Sequence, residues 1–305
     1  NKLRSNLPDC PFPIRYTSLT AFNARYRQGR ITATGSLVYT NVTEHVKIGD
    51  APADFQRLAP SFTVSLQPWQ EQLLFLRLMY KSTFRMPTFN DLYYYRLGNR
   101  SLRPEKANEY NMGITWSRSF SSFLNYLSVT VDGYYNDVTD KIVAFPTTYA
   151  WKMANYGKVH VTGMDATLAA AASLGKNMVL VVSGGYTWQK AIDLTDATSK
   201  SYKDQLPYTP KHSGNVSAVL EMPWVNVGYS IVGVSERYSM SQNIPENRID
   251  GYMEHTASLS RNFSFRHCKL RLQAEIINMT DTQYDVIKYY PMPGRSWRLT
   301  GTIEF

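Results

Sequence analysis

Hydrophobic and polar residues alternate along the last stretch of the chain, from Arg295 to Phe305. One face carries Trp297, Leu299, Gly301, Ile303 and Phe305, and the other carries Arg298, Thr300, Thr302 and Glu304. A period of two residues indicates a β-strand with one apolar and one polar face. The apolar set continues to the last residue, whereas the ends of soluble domains are usually polar and frayed. This difference favours a strand that faces lipid over a strand of a soluble sheet.

The same alternation recurs in about 13 segments of about 10 to 17 residues, which is longer than the five or six residues typical of strands in globular proteins. The predicted strands cover residues 13–28, 31–48, 57–67, 72–84, 106–117, 123–136, 157–173, 177–189, 211–222, 226–237, 251–263, 269–278 and 295–305. Strands that cross a membrane need roughly 9 to 11 residues and an extension beyond the lipid. The lengths therefore predict membrane-crossing strands.

Short and long connections alternate between these strands. Tight turns at residues 29–30, 174–176 and 223–225 contrast with long segments such as 85–105 and 137–156. Outer-membrane barrels have short periplasmic turns and long extracellular loops, and single-chain bacterial barrels have even strand numbers. The fold class predicted is an all-β, transmembrane antiparallel β-barrel with its long loops outside. The odd count means either that one strand is miscounted or that the chain is part of a barrel.

Composition agrees with this prediction and keeps one alternative open. Hydrophobic residues make up 43% of the chain and charged residues 19%, which argues against disorder. No run approaches the roughly 20 apolar residues of a membrane helix, but the strands of a barrel leave no such run. The 22 Tyr, 13 Phe and 6 Trp suit the aromatic girdles of a barrel. They also suit a soluble β-protein that binds polysaccharide.

Charge and cysteine content exclude several other classes. The net charge is +9, but Lys and Arg are scattered rather than clustered, so no nucleic-acid partner is predicted. Cys10 and Cys268 form no metal-binding pair, and a disulfide between them is left open. The five histidines have no ligand spacing, so no metal or other cofactor is predicted.

No catalytic constellation is present, so no enzyme is predicted. Asp132, Asp137 and Asp140 are close in sequence, but a strand that enters a loop spreads them over both faces. Because no nucleophile and base pair up, an outer-membrane hydrolase on a smaller barrel is disfavoured. Charged residues on polar strand faces are predicted to line the lumen as pairs. They are Lys106, Asp132, Arg271, Glu275, Arg298 and Glu304.

The long loops carry the candidates for ligand recognition, because aromatic and polar side chains can stack on a planar or sugar-like ligand and hydrogen-bond to it. The candidates are Phe89, Asn90, Tyr93, Tyr94, Tyr95, Arg96, Tyr149, Trp151, Lys152, Tyr156, Arg237, Tyr238, Gln242, Asn243, Tyr289 and Tyr290. Each of them has an alternative role in loop packing.

Six segments, in order along the chain, resemble the TonB-dependent outer-membrane receptors. These are residues 84–93 (FRMPTFNDLY), 98–105 (GNRSLRPE), 140–143 (DKIV), 155–165 (NYGKVHVTGMD), 206–212 (LPYTPKH) and 277–284 (INMTDTQY). Asp165 stands where the family pattern has Glu, and Met279 where it has Leu. The resemblance extends over most of the chain after Tyr80.

The resemblance implies a 22-stranded barrel with an amino-terminal plug and a segment that contacts TonB. Neither plug nor TonB-contacting segment is found, so residues 1–305 are predicted to be one partial barrel domain, the carboxy-terminal portion, with about 13 of the 22 strands. No secretory signal opens the chain, and we expect that it was removed or that the beginning of the protein lies elsewhere.

The resemblance also implies a function. A receptor of this kind, in the outer membrane of a Gram-negative bacterium, imports a scarce, large ligand with energy transmitted through TonB. Cobalamin or a ferric siderophore is the expected ligand, with haem and glycans as alternatives. Trp297 and Phe305 are expected to form the signal read by the barrel-assembly machinery. Membrane lipid and a surface lipoprotein are further expected partners.

Overall fold

The sheet of this protein contains 13 antiparallel strands, each paired with its neighbours along the chain. The structure, a computed structural model, describes residues 2–4, 10–69, 71–95, 97–146, 151–175, 177–266 and 268–304. The strands of the sheet are β1 (Ile14–Gln28), β2 (Ile31–His45), β3 (Phe55–Leu66), β4 (Leu73–Arg85), β5 (Glu105–Ser119), β6 (Leu124–Pro146), β7 (Trp151–Gly175), β8 (Met178–Asp193), β9 (His212–Glu221), β10 (Asn226–Val234), β13 (Tyr252–Ser264), β14 (Lys269–Ile277) and β17 (Ser296–Glu304). The predicted strand number is therefore confirmed. The strands β1 and β17 are the two edges, so the barrel is not closed in this chain.

The connecting segments contain short elements of their own. A helix, α1 (Phe89–Tyr93), lies between β4 and β5; β11 (Arg237–Tyr238), the 3-10 helix η1 (Pro245–Asn247) and β12 (Arg248–Ile249) lie between β10 and β13; β15 (Asp285–Ile287) and β16 (Tyr290–Pro291) precede β17. A capping box fixes the start of α1, since the Thr88 hydroxyl accepts from the Asp91 amide and the Asp91 carboxylate accepts from the Thr88 amide. No helix of the described part of the chain has the length and hydrophobicity needed to cross a membrane.

Cross-strand register separates an apolar face from a polar face, as the alternation predicts. On one face Leu272 lies opposite Gly301, and on the other Gln273 lies opposite Thr300. Next to Gln273 on the polar face, the Arg298 guanidinium donates to the Glu275 carboxylate at 2.6 Å. The two faces of the last hairpin are thus those predicted from its sequence.

A charge pair is built into the polar wall at the middle of the sheet. The Arg77 guanidinium contacts the Asp132 carboxylate at 3.0 Å and donates to the Thr115 hydroxyl at 2.9 Å. Gly113 lies between them, and a Cβ there would collide with the Asp132 carboxylate. Glycine is therefore required at this position. Lys106, predicted for the same wall, is instead on the apolar face. Side chains alternate along a strand, and Lys106 is four residues from Tyr110 in β5, so the two share a face.

One predicted loop is wrong: residues 137–156 are mostly strand. The strands β6 and β7 have 23 and 25 residues and remain paired as far as Pro146 and Trp151. Polar residues such as Asp137 and Asp140 break the apolar alternation there. Val138 and Ile142 are nevertheless buried, with 5% and 6% of their surface exposed, because other parts of the chain cover them.

Buried hydrophobic residues concentrate at the end of the sheet where the long connections lie, which we call the loop end. One cluster joins Ala107, Val138, Val159, Ala191 and Leu206. A second joins Leu92 of α1 with Leu102 and Ile142. Most other strand residues are half-buried or exposed. The core of this chain therefore fixes its connections rather than the middle of its wall.

Candidate ligand-binding site at the loop end

The helix α1 is held against the sheet by a buried carboxylate. Glu44 of β2, only 7% exposed, binds the Arg15 guanidinium at 2.6 Å and accepts a hydrogen bond from the Tyr93 hydroxyl. The Phe89 ring lies 5.0 Å from the Arg15 guanidinium, and the Tyr93 ring lies 5.6 Å from that of Arg100. Burial raises the pKa of the Tyr93 phenol, and the adjacent Glu44 carboxylate raises it further. We call these five residues the Glu44 cluster.

A second group of aromatic and cationic residues brings together the β8–β9, β10–β13 and β14–β17 connections. The Trp151 ring lies 6.1 Å from Tyr208 of the β8–β9 connection, and the Tyr252 and Tyr284 rings stack at 3.9 Å with planes 12° apart. Lys288 lies 5.4 Å from the Tyr289 ring and donates to the Glu246 carbonyl. We call this group the aromatic–cationic cluster; it comprises Trp151, Tyr208, Arg237, Tyr252, Tyr284 and Lys288.

Arg237 is the central cation of the aromatic–cationic cluster. It is only 4% exposed, and its guanidinium lies 5.8 Å from the Tyr252 ring. Its Nη2 donates to the carbonyls of Asp285 and Val286 at 2.6 and 3.1 Å, whereas its Nη1 has no partner among the described residues. A buried guanidinium with unused donors is costly, so it marks a place for a further acceptor. Arg237 also joins the β10–β13 connection to the β14–β17 connection.

Tyrosine hydroxyls in this cluster are kept protonated. Burial raises the pKa of Tyr208, although the backbone N–H of Lys288 and the Arg237 charge oppose that rise. Burial likewise raises the pKa of Tyr284, whose hydroxyl donates to the Glu254 carboxylate and is raised further by it. Both phenols are therefore neutral hydrogen-bonding groups.

Other predicted residues tie connections to one another. The Tyr156 and Ser241 hydroxyls share a hydrogen bond of 2.5 Å, and the backbone N–H of Asn243 donates to the Asp204 carboxylate at 3.0 Å. The Gln242 carbonyl accepts from the Asn247 side chain at 2.8 Å, and the Tyr238 carbonyl accepts from the Tyr208 amide at 2.7 Å. The Asn243–Asp204 and Tyr208–Tyr238 contacts hold the β8–β9 and β10–β13 connections together. The Tyr156–Ser241 contact ties β7 to the β10–β13 connection, and the Gln242–Asn247 bond lies within it.

A third set of predicted residues presents its surface to solvent. The exposed fractions are 54% for Tyr94, 44% for Tyr95, 82% for Tyr289 and 67% for Tyr290. Asn90 and Lys152 are also exposed, and Trp297 is 74% exposed on the apolar face of β17. Arg96, Tyr149 and Phe305 lie outside the described residues. The structure thus divides the candidates into residues that order the connections and residues whose surface is largely exposed.

Several residues of the two clusters were not predicted as candidates. They are Arg15, Glu44, Arg100, Tyr208, Tyr252, Tyr284 and Lys288. A signal existed for Tyr208 and Tyr284, because both lie inside segments that carry the family resemblance. Glu44 and Tyr252 lie in strands, and nothing in their local pattern shows which connection covers them.

The arrangement offers stacking surfaces, neutral phenols and fixed cations around the loop end. Such groups suit recognition of a large ligand with planar and anionic parts. Among the described residues, no group of three or more His, Cys, Asp or Glu side chains is arranged to hold a metal ion. Cys10 and Cys268 are free thiols.

Comparison with known proteins identifies the family. The family model described as "TonB dependent receptor-like, beta-barrel" matches residues 10–279. The chain belongs to this family. TonB-dependent receptors are outer-membrane proteins of Gram-negative bacteria that act as transporters and receptors, so the chain is not an enzyme. The apolar face of the sheet is accordingly the lipid-facing one.

Curated relatives of this TonB-dependent barrel include two vitamin B12 transporters named BtuB. The one from Photobacterium profundum is 25% identical over 230 residues, which is 73% of this chain and 34% of the relative. The one from Vibrio vulnificus is 26% identical over 231 residues, which is 73% of this chain and 33% of the relative. The chain thus spans about a third of the length of the curated relatives it matches.

Solved structures show the same fold. The unliganded ferric citrate transporter FecA superposes with a TM-score of 0.74 at 15% identity, covering 94% of this chain and 44% of FecA. The copper transporter OprC superposes with a TM-score of 0.72 at 14% identity, covering 95% of this chain and 48% of OprC. At these identities the similarity shows the barrel fold alone.

Proposed function

We propose that the protein is part of an outer-membrane receptor that binds cobalamin at its extracellular loops and imports it with energy transmitted through TonB. The observation that carries this proposal is the sequence similarity to two vitamin B12 transporters over nearly three quarters of the chain. The aromatic–cationic cluster supports it, because rings, phenols and fixed cations can contact a macrocycle with polar substituents.

A ferric siderophore is the second candidate ligand. The cations Arg237 and Lys288 lie beside aromatic rings and favour it, since many ferric chelates are anionic. Haem and glycans are the remaining candidates, to which failure with both of these ligands would point. TonB, the barrel-assembly machinery that reads Trp297 and Phe305, and a surface lipoprotein are proposed partners of the whole protein.

Uptake by the full-length parent protein tests the ligand. The receptor is expressed in a strain without its own cobalamin and siderophore receptors, with and without TonB, and given labelled cobalamin or labelled ferric siderophores. Saturable cobalamin uptake that disappears without TonB is the expected result. TonB-dependent uptake of a ferric siderophore alone would replace cobalamin by the second candidate. Failure with both would move the ligand to haem or glycans.

Cysteine labelling tests the proposed orientation. Tyr94→Cys and Asp196→Cys place a thiol in connections at the loop end, whereas Ser121→Cys places one in the turn between β5 and β6. A membrane-impermeant maleimide on intact cells is expected to label the first two and not the third. The reverse pattern would show that the long connections face the periplasm.

A further inference from the structure

The strands β3 and β4 part from each other before they reach the loop end. They pair only over residues 61–66 and 76–81, although β3 begins at Phe55 and β4 continues to Arg85. On their other sides both strands stay paired along these ends, β3 with β2 and β4 with β5. The gap therefore lies between two otherwise continuous parts of the wall.

Beyond the last pair, Ser61 and Lys81, β3 contains more residues than β4 before their side chains meet again. The Arg57 guanidinium donates to the Ser82 hydroxyl at 3.0 Å, so four steps along β3 correspond to one step along β4. The three extra residues, 58–60, form an enlarged β-bulge that we call the β3 bulge. The third of them is a proline, which cannot donate a backbone hydrogen bond and is found at bulges and edges of sheets.

Arg57 is the charged group at the β3 bulge, and it lacks a carboxylate partner. It is half-buried, and within the part of the chain that the structure describes it makes one side-chain hydrogen bond, to Ser82, and no ion pair. Arg77, by contrast, binds the Asp132 carboxylate. A guanidinium has five N–H donors, and a half-buried one that leaves most of them without an acceptor is unfavourable. Arg57 is therefore a candidate partner for an anion.

A second unsatisfied donor lies directly opposite Arg57. Thr40 of β2 pairs with Arg57, so their side chains share a face and their Cβ atoms are about 5 Å apart. Thr40 is only 2% exposed, and its hydroxyl has no partner among the described residues. The buried Ser82 hydroxyl accepts from Arg57, which leaves its own hydrogen available. Donors from three neighbouring strands thus meet at the β3 bulge.

The backbone of the β3 bulge adds a further donor. Successive residues of a strand direct their N–H groups to opposite sides, so either Leu58 or Ala59 directs its N–H toward β4, where no pairing residue meets it. Toward the loop end, the Phe55 and Phe84 rings lie 5.0 Å apart across the gap. The donors therefore lie between the end of the ladder and a pair of rings, where partial exclusion of water strengthens the binding of a charge.

We propose that the β3 bulge binds one small oxyanion of the phosphate or sulfate class between Arg57, Thr40 and Ser82. Such an anion accepts several hydrogen bonds at once and compensates the Arg57 charge, which a neutral water molecule does not. It bridges β3 to β4 where the ladder between them is interrupted. The site is independent of the proposed transport function, since it shares no residue with the two clusters at the loop end.

Binding of radiolabelled inorganic phosphate to the full-length receptor tests the proposal. Equilibrium dialysis is carried out in neutral detergent, without added lipid and at constant ionic strength. One saturable site for which sulfate competes is the expected result. Arg57→Gln is expected to weaken binding at least about tenfold, which corresponds to about 1.4 kcal/mol. Thr40→Val removes the hydroxyl but keeps the shape of the side chain, and is expected to weaken binding about fivefold.

The matched control is Arg271→Gln. Arg271 also lies on the wall, and where the structure describes its surroundings it makes one side-chain hydrogen bond, to the Gln273 Oε1 at 3.2 Å, and no ion pair. It is expected to bind phosphate as the wild type does. Equal loss in Arg271→Gln and Arg57→Gln would show unspecific attraction to a cationic wall and would overturn the proposal.

Unchanged phosphate binding by Thr40→Val would also overturn the proposal. This variant decides the question even where Arg57→Gln fails to assemble, because it leaves the charge in place. A site that is filled only by an added anionic lipid, and not by inorganic phosphate, would be a headgroup site and would equally exclude the bound oxyanion.

Discussion

The side chain of Asn155 and the backbone of Arg103 hold each other through two hydrogen bonds. The Asn155 Nδ2 donates to the Arg103 carbonyl at 3.0 Å, and the Arg103 amide donates to the Asn155 Oδ1 at 2.9 Å. The same Nδ2 also donates to the Asp140 carbonyl at 2.6 Å. One side chain of β7 thereby fixes the end of the β4–β5 connection and the extended part of β6. The Glu44 cluster depends on the position of that connection.

Replacing Asn155 is therefore expected to loosen the β4–β5 connection. Asn155→Ala removes three hydrogen bonds and is expected to cost about 1 to 3 kcal/mol of stability. Asn155→Asp keeps the acceptor for Arg103 but turns an oxygen toward the Arg103 and Asp140 carbonyls, so it is expected to cost at least as much. Limited proteolysis of the connection in the full-length protein checks both variants, with exposed Asn90→Ala as the control. Equal protection in all three variants would contradict the role given to Asn155.

Arg237→Lys tests the aromatic–cationic cluster. A lysine keeps the charge but has no planar guanidinium to lie over the Tyr252 ring, and its shorter side chain does not place a donor where the Arg237 Nη2 meets the Asp285 and Val286 carbonyls. We expect faster hydrogen exchange in the β14–β17 connection and about tenfold weaker ligand binding, which corresponds to about 1.4 kcal/mol. Arg248→Lys is the control, since Arg248 is half exposed in the same β10–β13 connection. Unchanged hydrogen exchange in Arg237→Lys would remove Arg237 as the link between the connections.

The raised pKa of the Tyr93 phenol predicts that the Glu44 cluster contributes less stability at alkaline pH. Burial and Glu44 raise its pKa in the folded state above the unfolded value of about 10. The stability it contributes is complete below about pH 10 and is lost as pH rises through the folded pKa, because only the unfolded chain releases the proton there. Tyr93→Phe should remove this part of the pH dependence.

Thermal midpoints measured between about pH 8 and 11 check this expectation. The wild-type protein should lose stability relative to Tyr93→Phe as pH rises, and Tyr94→Phe, altered at a residue that is 54% exposed, should behave as wild type. Parallel curves for the wild type and Tyr93→Phe would show that folding does not raise the pKa of Tyr93.

The exposed ring of Tyr94 in the β4–β5 connection provides a test of direct ligand contact. Tyr94→Ala is expected to weaken cobalamin binding by the full-length receptor about fivefold, with an unchanged thermal midpoint, because a stacking ring contributes about 1 kcal/mol. Phe123→Ala removes an aromatic ring that is 70% exposed in the turn between β5 and β6 and serves as the control. Equal affinity in all three proteins would exclude this connection from the ligand site.

The strand number and the two faces of the wall were predictable from the sequence because they depend on local alternation. Trp297 and Leu299 share a face whatever the rest of the chain does, since side chains alternate along a strand. The extension of β6 was not predictable in this way. Val138 and Ile142 are buried by Leu206 and Leu92, which belong to connections far away in sequence.

The ligand-site candidates show the same division. The aromatic and cationic composition of the loops indicated Trp151 and Arg237, but the stack of Tyr252 on Tyr284 depends on how the chain around two connections folds. In the segments that resemble the family, individual polar residues hold connections in place. These segments therefore indicate more of the site than their amino-acid composition does. Asn278, fully buried, donates to the Thr282 carbonyl and accepts from the Thr282 amide. Such residues mark where a connection is fixed, and the neighbouring Tyr284 could have been found from that signal.

The final hairpin provides a test of which face meets lipid. Leu272 and Gln273 are adjacent in β14 but lie on opposite faces, opposite Gly301 and Thr300 of β17. Leu272→Arg places a charge in hydrocarbon and is expected to cost about 2 to 4 kcal/mol near the midplane, whereas Gln273→Arg adds a charge to a polar wall. Assembly of the full-length protein, measured by heat-modifiable migration of outer-membrane fractions, should fail in the first variant and proceed in the second. Because both variants introduce the same side chain at adjacent positions, equal assembly could only mean that the face assignment is wrong.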